Sequence, residues 1–128
     1  MDEKKKKILI ADDEPDMLNE LEAVLSDKFR VYKAKDGKKA VALAQSSKPE
    51  IVLMDANMPE MDGMEACRLI KNDSLTARIP VIMLTCRGGI LDIENGFKAG
   101  ADSYIVKPIV PDRLLDKIEV VLAKAAIT

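Results

Sequence analysis

Ile51-Val52-Leu53-Met54-Asp55 decides how this chain folds, because four apolar residues without alternation are closed by a carboxylate. A continuous apolar run is what a strand needs when helices cover both of its faces. The same pattern recurs along the chain. Ile8-Leu9-Ile10-Ala11 runs into Asp12-Asp13, Val81-Ile82-Met83-Leu84 into Thr85, and Tyr104-Ile105-Val106 into Lys107. Laid side by side in one parallel sheet, these runs bring three carboxylates, a hydroxyl and an ammonium to a single sheet edge. Open α/β sheets bind ligands at that edge.

Between the strand-like runs lie segments with helical spacing. Met17, Leu18, Leu21, Val24 and Leu25 recur at steps of three and four, as do Ile90, Ile93 and Phe97, and Leu114, Ile118, Val121, Leu122 and Ala125. Pro15 and Pro111 suit first-turn positions, and Asp36-Gly37 and Asp62-Gly63 read as turn or cap chemistry opening two more helices. Strand then helix, five times over, predicts an α/β fold with a parallel sheet covered on both faces. Run 30–34 alternates and run 103–106 is short with a polar start, so the second and fifth strands belong at the edges. The resulting order is 2-1-3-4-5, a doubly wound arrangement whose reversal point falls between the first and third strands. Asp12, Asp13 and Asp55 belong there.

The 128 residues fit one domain with its own core, and no repeat, low-complexity stretch or linker divides them. We therefore expect a single unit over 1–128, with its core at about 6–125. A net charge of −2 and no basic stripe argue against direct nucleic-acid binding. Lys4-Lys5-Lys6-Lys7 reads as a solvated tail. No apolar stretch approaches the ~18 residues of a membrane span, and the N-terminus lacks the apolar segment of a signal peptide. Cys67 and Cys86, without CxxC spacing, suit free thiols in a reducing cytoplasm. Histidine is absent, which removes His-based triads, His-ligated zinc and His phosphocarriers.

Three aspartates within a few Å repel one another. At an effective dielectric near 20, two charges about 4 Å apart cost roughly 4 kcal/mol. Lys107 supplies one compensating charge and a divalent cation would supply the rest. Hard carboxylate oxygens without His or Cys select Mg²⁺, or Mn²⁺, over zinc, and Mg²⁺ so held commonly bridges to phosphate oxygens. Taken singly, each residue has a plainer role: Asp12 or Asp13 beside a helix start, Asp55 or Thr85 at a strand end, Lys107 on the surface. Their joint placement at the same end of successive strands points to a phosphoryl site.

These residues closely resemble the receiver domain of two-component response regulators, in its chemotaxis-regulator-like, flavodoxin-like form. The resemblance rests on Asp12-Asp13, on Asp55-Ala56-Asn57-Met58-Pro59-Glu60-Met61-Asp62-Gly63, on Thr85, and on Ala99-Gly100-Ala101-Asp102-Ser103-Tyr104-Ile105-Val106-Lys107-Pro108. It covers about Lys6 to Ala125. The resemblance implies that Asp55 accepts a phosphoryl group from a phosphohistidine on a sensor histidine kinase or histidine phosphotransfer protein. It implies that Asp13, Asp55 and the Asn57 carbonyl ligate Mg²⁺, with Asp12 assisting directly or through water. Lys107 should pair with Asp55 and then with the phosphoryl oxygens, which Thr85 also binds. The Lys107-Pro108 bond is expected to be cis, Tyr104 to act with Thr85 as a switch, and Asn57 and Arg87 to tune the phosphoryl lifetime. The output is expected at the surface of the fourth helix, fifth strand and fifth helix, read by a protein target or a fused output domain. Such a protein is no enzyme beyond its own phosphoryl transfer and slow autodephosphorylation.

Cys86 stands where the family usually has Ala or Ser, and Arg87-Gly88-Gly89 makes a basic, flexible connection. Two other readings compete. A Mg²⁺-dependent phosphohydrolase with an aspartyl nucleophile would place that nucleophile after the first strand, and Asp12-Asp13-Glu14 imitates such a start. A pseudo-receiver that never carries phosphate would lack one of the acids or the lysine, and all are present. No output segment is evident, which favours a stand-alone receiver over an excised domain. A dinucleotide-binding domain is excluded because no glycine-rich loop follows the first strand.

Overall fold

A computed structural model describes residues 5–86 and 90–127. It has β1 (Lys6–Ala11), α1 (Pro15–Leu25), β2 (Phe29–Ala34), α2 (Gly37–Ser47), β3 (Ile51–Asp55), α3 (Gly63–Asn72), β4 (Val81–Thr85), α4 (Ile90–Lys98), β5 (Ser103–Val106) and α5 (Pro111–Ile127). The strands form one parallel sheet in the order β2-β1-β3-β4-β5. This is the order expected from the sequence.

The apolar runs lack alternation because successive residues enter different cores. Ile8, Ile10, Ile51, Leu53, Ile82 and Leu84 pack with Leu18, Leu21 and Leu25 of α1 and with Leu114, Ile118 and Val121 of α5. Their neighbours Leu9, Ala11, Val52, Met54 and Met83 face the other way, onto Ala40 and Ala44 of α2 and Ala66, Cys67 and Ile70 of α3. Burying such a side chain stabilises by roughly 1.5–3 kcal/mol, so these two layers set the register firmly.

The strand ends differ from the apolar runs. β1 starts at Lys6 and β2 at Phe29, because Lys6 pairs with Phe29 and Lys7 with Arg30. Backbone pairing extends a strand beyond its buried residues, and a hydrophobic pattern does not register it. At the other end Asp55 and Thr85 are themselves the last strand residues, opposite Leu84 and Val106. Toward the end of α4, Gly96 and, just beyond the helix, Ala99 are buried, while Phe97 is 49% exposed.

Pro15 and Pro111 open α1 and α5. Asp36 caps α2 by accepting from the Lys39 N–H at 2.7 Å, and Asp62 caps α3 by accepting from the Glu65 N–H at 2.9 Å. Gly63 does more than follow a cap. Its N–H donates to the Ala56 carbonyl at 3.0 Å, and a Cβ there would lie 2.0 Å from the Asp55 carbonyl oxygen. Only a bare backbone lets α3 start this close beneath the end of β3. Gly63→Ala is therefore expected to lower the free energy of unfolding by about 2 kcal/mol, in the range of an overpacked core, as read from urea denaturation.

Candidate functional site at the carboxyl ends of the strands

Because β1 is flanked by β2 and β3, the chain direction across the sheet reverses there, and the crevice opens above the ends of β1 and β3. Asp12 and Asp13 follow β1, and Asp55 closes β3. One carboxylate oxygen from each lies within 4.8 Å of the others. Asp12 is fully buried, Asp55 nearly so, and Asp13 faces solvent.

The acids are held differently. Asp12 has both oxygens engaged: Oδ1 accepts the Glu14 N–H at 3.0 Å, and Oδ2 accepts Lys107 Nζ at 3.0 Å. Asp55 has one oxygen engaged, Oδ1 accepting the Asn57 N–H at 3.2 Å, while Oδ2 lies 3.6 Å from Lys107 Nζ, beyond a good hydrogen bond. Asp13 has no hydrogen bond or ion pair among the described residues. Lys107 thus bridges two carboxylates, and its tighter contact is with Asp12 rather than Asp55. Burial opposes its charge, yet the Asp12 hydrogen bond and the Asp55 and Asp12 charges prevail and hold its pKa above the ordinary lysine value.

Three carboxylates against one ammonium leave an excess of negative charge. Burial pushes the Asp55 carboxyl up from 3.8 to about 6; the Asn57 N–H and Lys107 pull it down, and the Asp12 and Asp13 charges raise it further. Hard oxygens in excess of local positive charge, open to solvent at Asp13, fit a Mg²⁺ ion.

Thr85 lies one strand over. It is buried, and among the described residues its Oγ1 has no hydrogen-bond partner. A buried hydroxyl left unpaired is costly, so this one points to a group that arrives later. Beside it, the Lys107 N–H donates to the Thr85 carbonyl at 2.7 Å, and the Lys107-Pro108 peptide is cis. Tyr104 on β5 is partly buried and meets Phe97 of α4 edge-to-face, with ring centroids 5.9 Å apart. Asn57 and Cys86 are exposed; Arg87, Gly88 and Gly89 lie outside the described residues. The sequence reading overlooked two contributors, the Glu14 N–H and the close approach at Gly63. Neither has a chemical signature, since one is a backbone group and the other is the absence of a side chain.

A family model, the response regulator receiver domain, matches residues 8–119. The chain belongs to the receiver family. The receiver is 41% identical to Protein PilH of Pseudomonas aeruginosa over 91% of this chain and 98% of that protein. It is 40% identical to the probable transcriptional regulator ycf27 of Guillardia theta over 95% of this chain, but over 47% of ycf27. It spans about half the length of several such relatives. Among solved structures, it resembles the receiver domain of a Pseudomonas aeruginosa sensor histidine kinase, which has a magnesium ion coordinated in its active-site cleft (TM-score 0.87, 31% identity, covering 93% of this chain and 98% of that one). Receivers are phosphorylation-activated signalling domains of two-component systems, not classical enzymes; they bind Mg²⁺ at an acidic site and interact with histidine kinases and output partners.

Two outcomes follow for this receiver. The raised Asp55 pKa means that the unfolded state gives up its proton first as pH rises from 3.8, so the ionised carboxylate costs stability across the window up to about 6 and throughout neutral pH. Asp55→Asn should raise the melting temperature of metal-free protein at pH 7, with the gain vanishing near pH 4. Thr85→Val removes an unpaired hydroxyl at nearly constant shape and should raise stability by about 1 kcal/mol in urea unfolding.

Proposed function

We propose that Asp55 is the phosphoacceptor of this receiver, phosphorylated by a histidine kinase or a histidine phosphotransfer protein. Support comes from the division among the acids: Asp12 has no free oxygen, whereas Asp55 keeps Oδ2 clear of a hydrogen bond, beside the Lys107 ammonium. The new O–P bond forms at Asp55 as the P–N bond of the donor phosphohistidine breaks, the electron pair leaving with the imidazole nitrogen. Phosphoryl transfer asks a protein mainly to position groups and neutralise charge. Lys107 supplies positive charge to the phosphoryl oxygens, and Thr85 Oγ1 supplies a hydrogen bond once they are in place. Asp13 and Asp55 with the Asn57 carbonyl would hold Mg²⁺, with Asp12 assisting directly or through water, and Mn²⁺ suits the same oxygens. The ion supplies charge neutralisation at the phosphoryl group.

Output follows from the same hydroxyl. As Thr85 turns toward phosphoryl oxygens, space opens behind β4 and the partly buried Tyr104 moves inward, away from its present edge-to-face contact with Phe97. The α4-β5-α5 surface then changes shape for a protein target or a fused output domain. Asn57 and Arg87 are the positions we assign to tuning the rate at which water resets the acyl phosphate by slow autodephosphorylation. We take residues 1–128 as one receiver, placed in a reducing cytoplasm that suits the free thiols of Cys67 and Cys86.

Incubation with Mg²⁺ and acetyl phosphate should add one phosphoryl mass, and peptide mapping should place it on Asp55. Chelation and Asp55→Asn should each abolish it, and Lys107→Ala should slow it by about a hundredfold, the scale of losing one preorganised charge donor. Label on Asp13 would instead favour the phosphohydrolase reading.

A further inference from the structure

At the opposite end of the sheet, where β4 and β5 begin, lies a cleft of about 670 Å³ between the second half of α5 and the segment joining α3 to β4. Its size falls within the range that holds small organic ligands. In a protein of net charge −2, its walls carry Lys71, Arg78, Lys117 and Lys124 against one acid, Asp102.

Ordinary structural duties account for part of this charge. Lys71 pairs with Asp102 at 2.8 Å and donates to the Ile79 carbonyl at 2.7 Å, and Asp102 Oδ2 also accepts the Val81 N–H at 2.8 Å. That set ties the loops together and is internally neutral. Lys124 sits in the last turn of α5, where a cation complements the helix dipole. Arg78 and Lys117 have no such duty. Neither they nor Lys124 makes a hydrogen bond or ion pair within the described residues, and Lys117 is held half-buried against the cleft rather than extended into water. Arg78 and Lys117, with Lys124 beside them, bring cations without an acidic partner to one concavity, an arrangement with a cost, since like charges repel. The wall between them is apolar, with Val120 53% exposed.

We propose that this cleft binds a small organic polyphosphate, an ester with at least two phosphate groups and a flat apolar moiety. The planar guanidinium of Arg78 can grip a phosphate with two parallel hydrogen bonds, while Lys117 and Lys124 act as point charges on the rest. Val120 offers the organic moiety a surface. The site is separate from the aspartate edge and does not depend on phosphorylation of Asp55.

The test is amide NMR of the full chain titrated with ADP in the presence of EDTA, which keeps divalent metal from the aspartates. Saturable shifts at Ser103, Lys117 and Val120 are expected, adenosine should produce none, and Asp55→Asn should bind ADP as well as wild type. The double variant Arg78→Gln/Lys117→Gln, checked by melting temperature to be folded, should bind about tenfold more weakly, the weight of one charge-assisted hydrogen bond. Absence of saturation, unchanged affinity in the double variant, or shifts confined to the Asp55 edge would overturn the proposal. So would tighter binding of oligoglutamate than of ADP, which would assign the cleft to an acidic protein segment.

Discussion

One ammonium shared by two buried carboxylates governs the sheet edge. Asp12 is fully withdrawn from water, and a charge so placed without a partner costs several kcal/mol. Lys107 meets it at 3.0 Å from the far side of the sheet. In the order β2-β1-β3-β4-β5, three strand spacings separate β1 from β5, a span of about 14 Å. A lysine stem covers only part of that distance, so the segment after β5 must lean back over the ends of β4 and β3. The Lys107 N–H bond to the Thr85 carbonyl fixes this lean. The ion pair, the strand order and the position of Thr85 are thus parts of one constraint.

That constraint also separates the roles of the acids. Asp12 takes the closer share of Lys107 and a backbone N–H as well, so both of its oxygens are engaged. Asp55 receives the longer contact and a single backbone N–H, which burial outweighs, so its pKa rises to about 6. Two carboxylates a few Å apart are therefore chemically unlike, although neither sequence position nor residue type distinguishes them. A cation arriving at the edge offsets the burial and like-charge repulsion that raise the Asp55 pKa. Charge compensation at this edge is incomplete, since three carboxylates face one ammonium.

The fold was almost fully legible in the sequence, because it depends on patterns that burial enforces. Unbroken apolar runs marked the three central strands, alternation in 30–34 and the polar start of 103–106 marked the edges, and Pro15, Asp36, Asp62 and Pro111 marked helix starts. The six-residue length of β1 and the exposure of Phe97 were not legible. Strand pairing at Lys6 and Lys7 is a backbone matter, and Phe97 follows an aromatic contact with Tyr104 rather than the core. Within the site, the acids, Thr85 and Lys107 were legible because strand ends project onto one edge. The preference of Lys107 for Asp12 was not, since it turns on a difference between 3.0 and 3.6 Å that spacing along a chain cannot encode.

The two ends of the same sheet carry opposite charge, and their separation decides whether they influence each other. β4 has five residues, so its ends lie about 17 Å apart, roughly twice the Debye length of ~8 Å at physiological salt. Electrostatic cross-talk through solvent is therefore weak. An anion in the cationic cleft would neither neutralise the aspartates nor compete for their metal. Coupling between the ends would have to pass through packing, and β5 offers a short route. Ser103 lines the cleft, Tyr104 follows it, and three residues later Lys107 holds the two carboxylates. A strand this short, paired on one side only and held at its far end by the Lys107 side chain and its N–H bond to Thr85, is the element of this fold whose small displacements both ends would register.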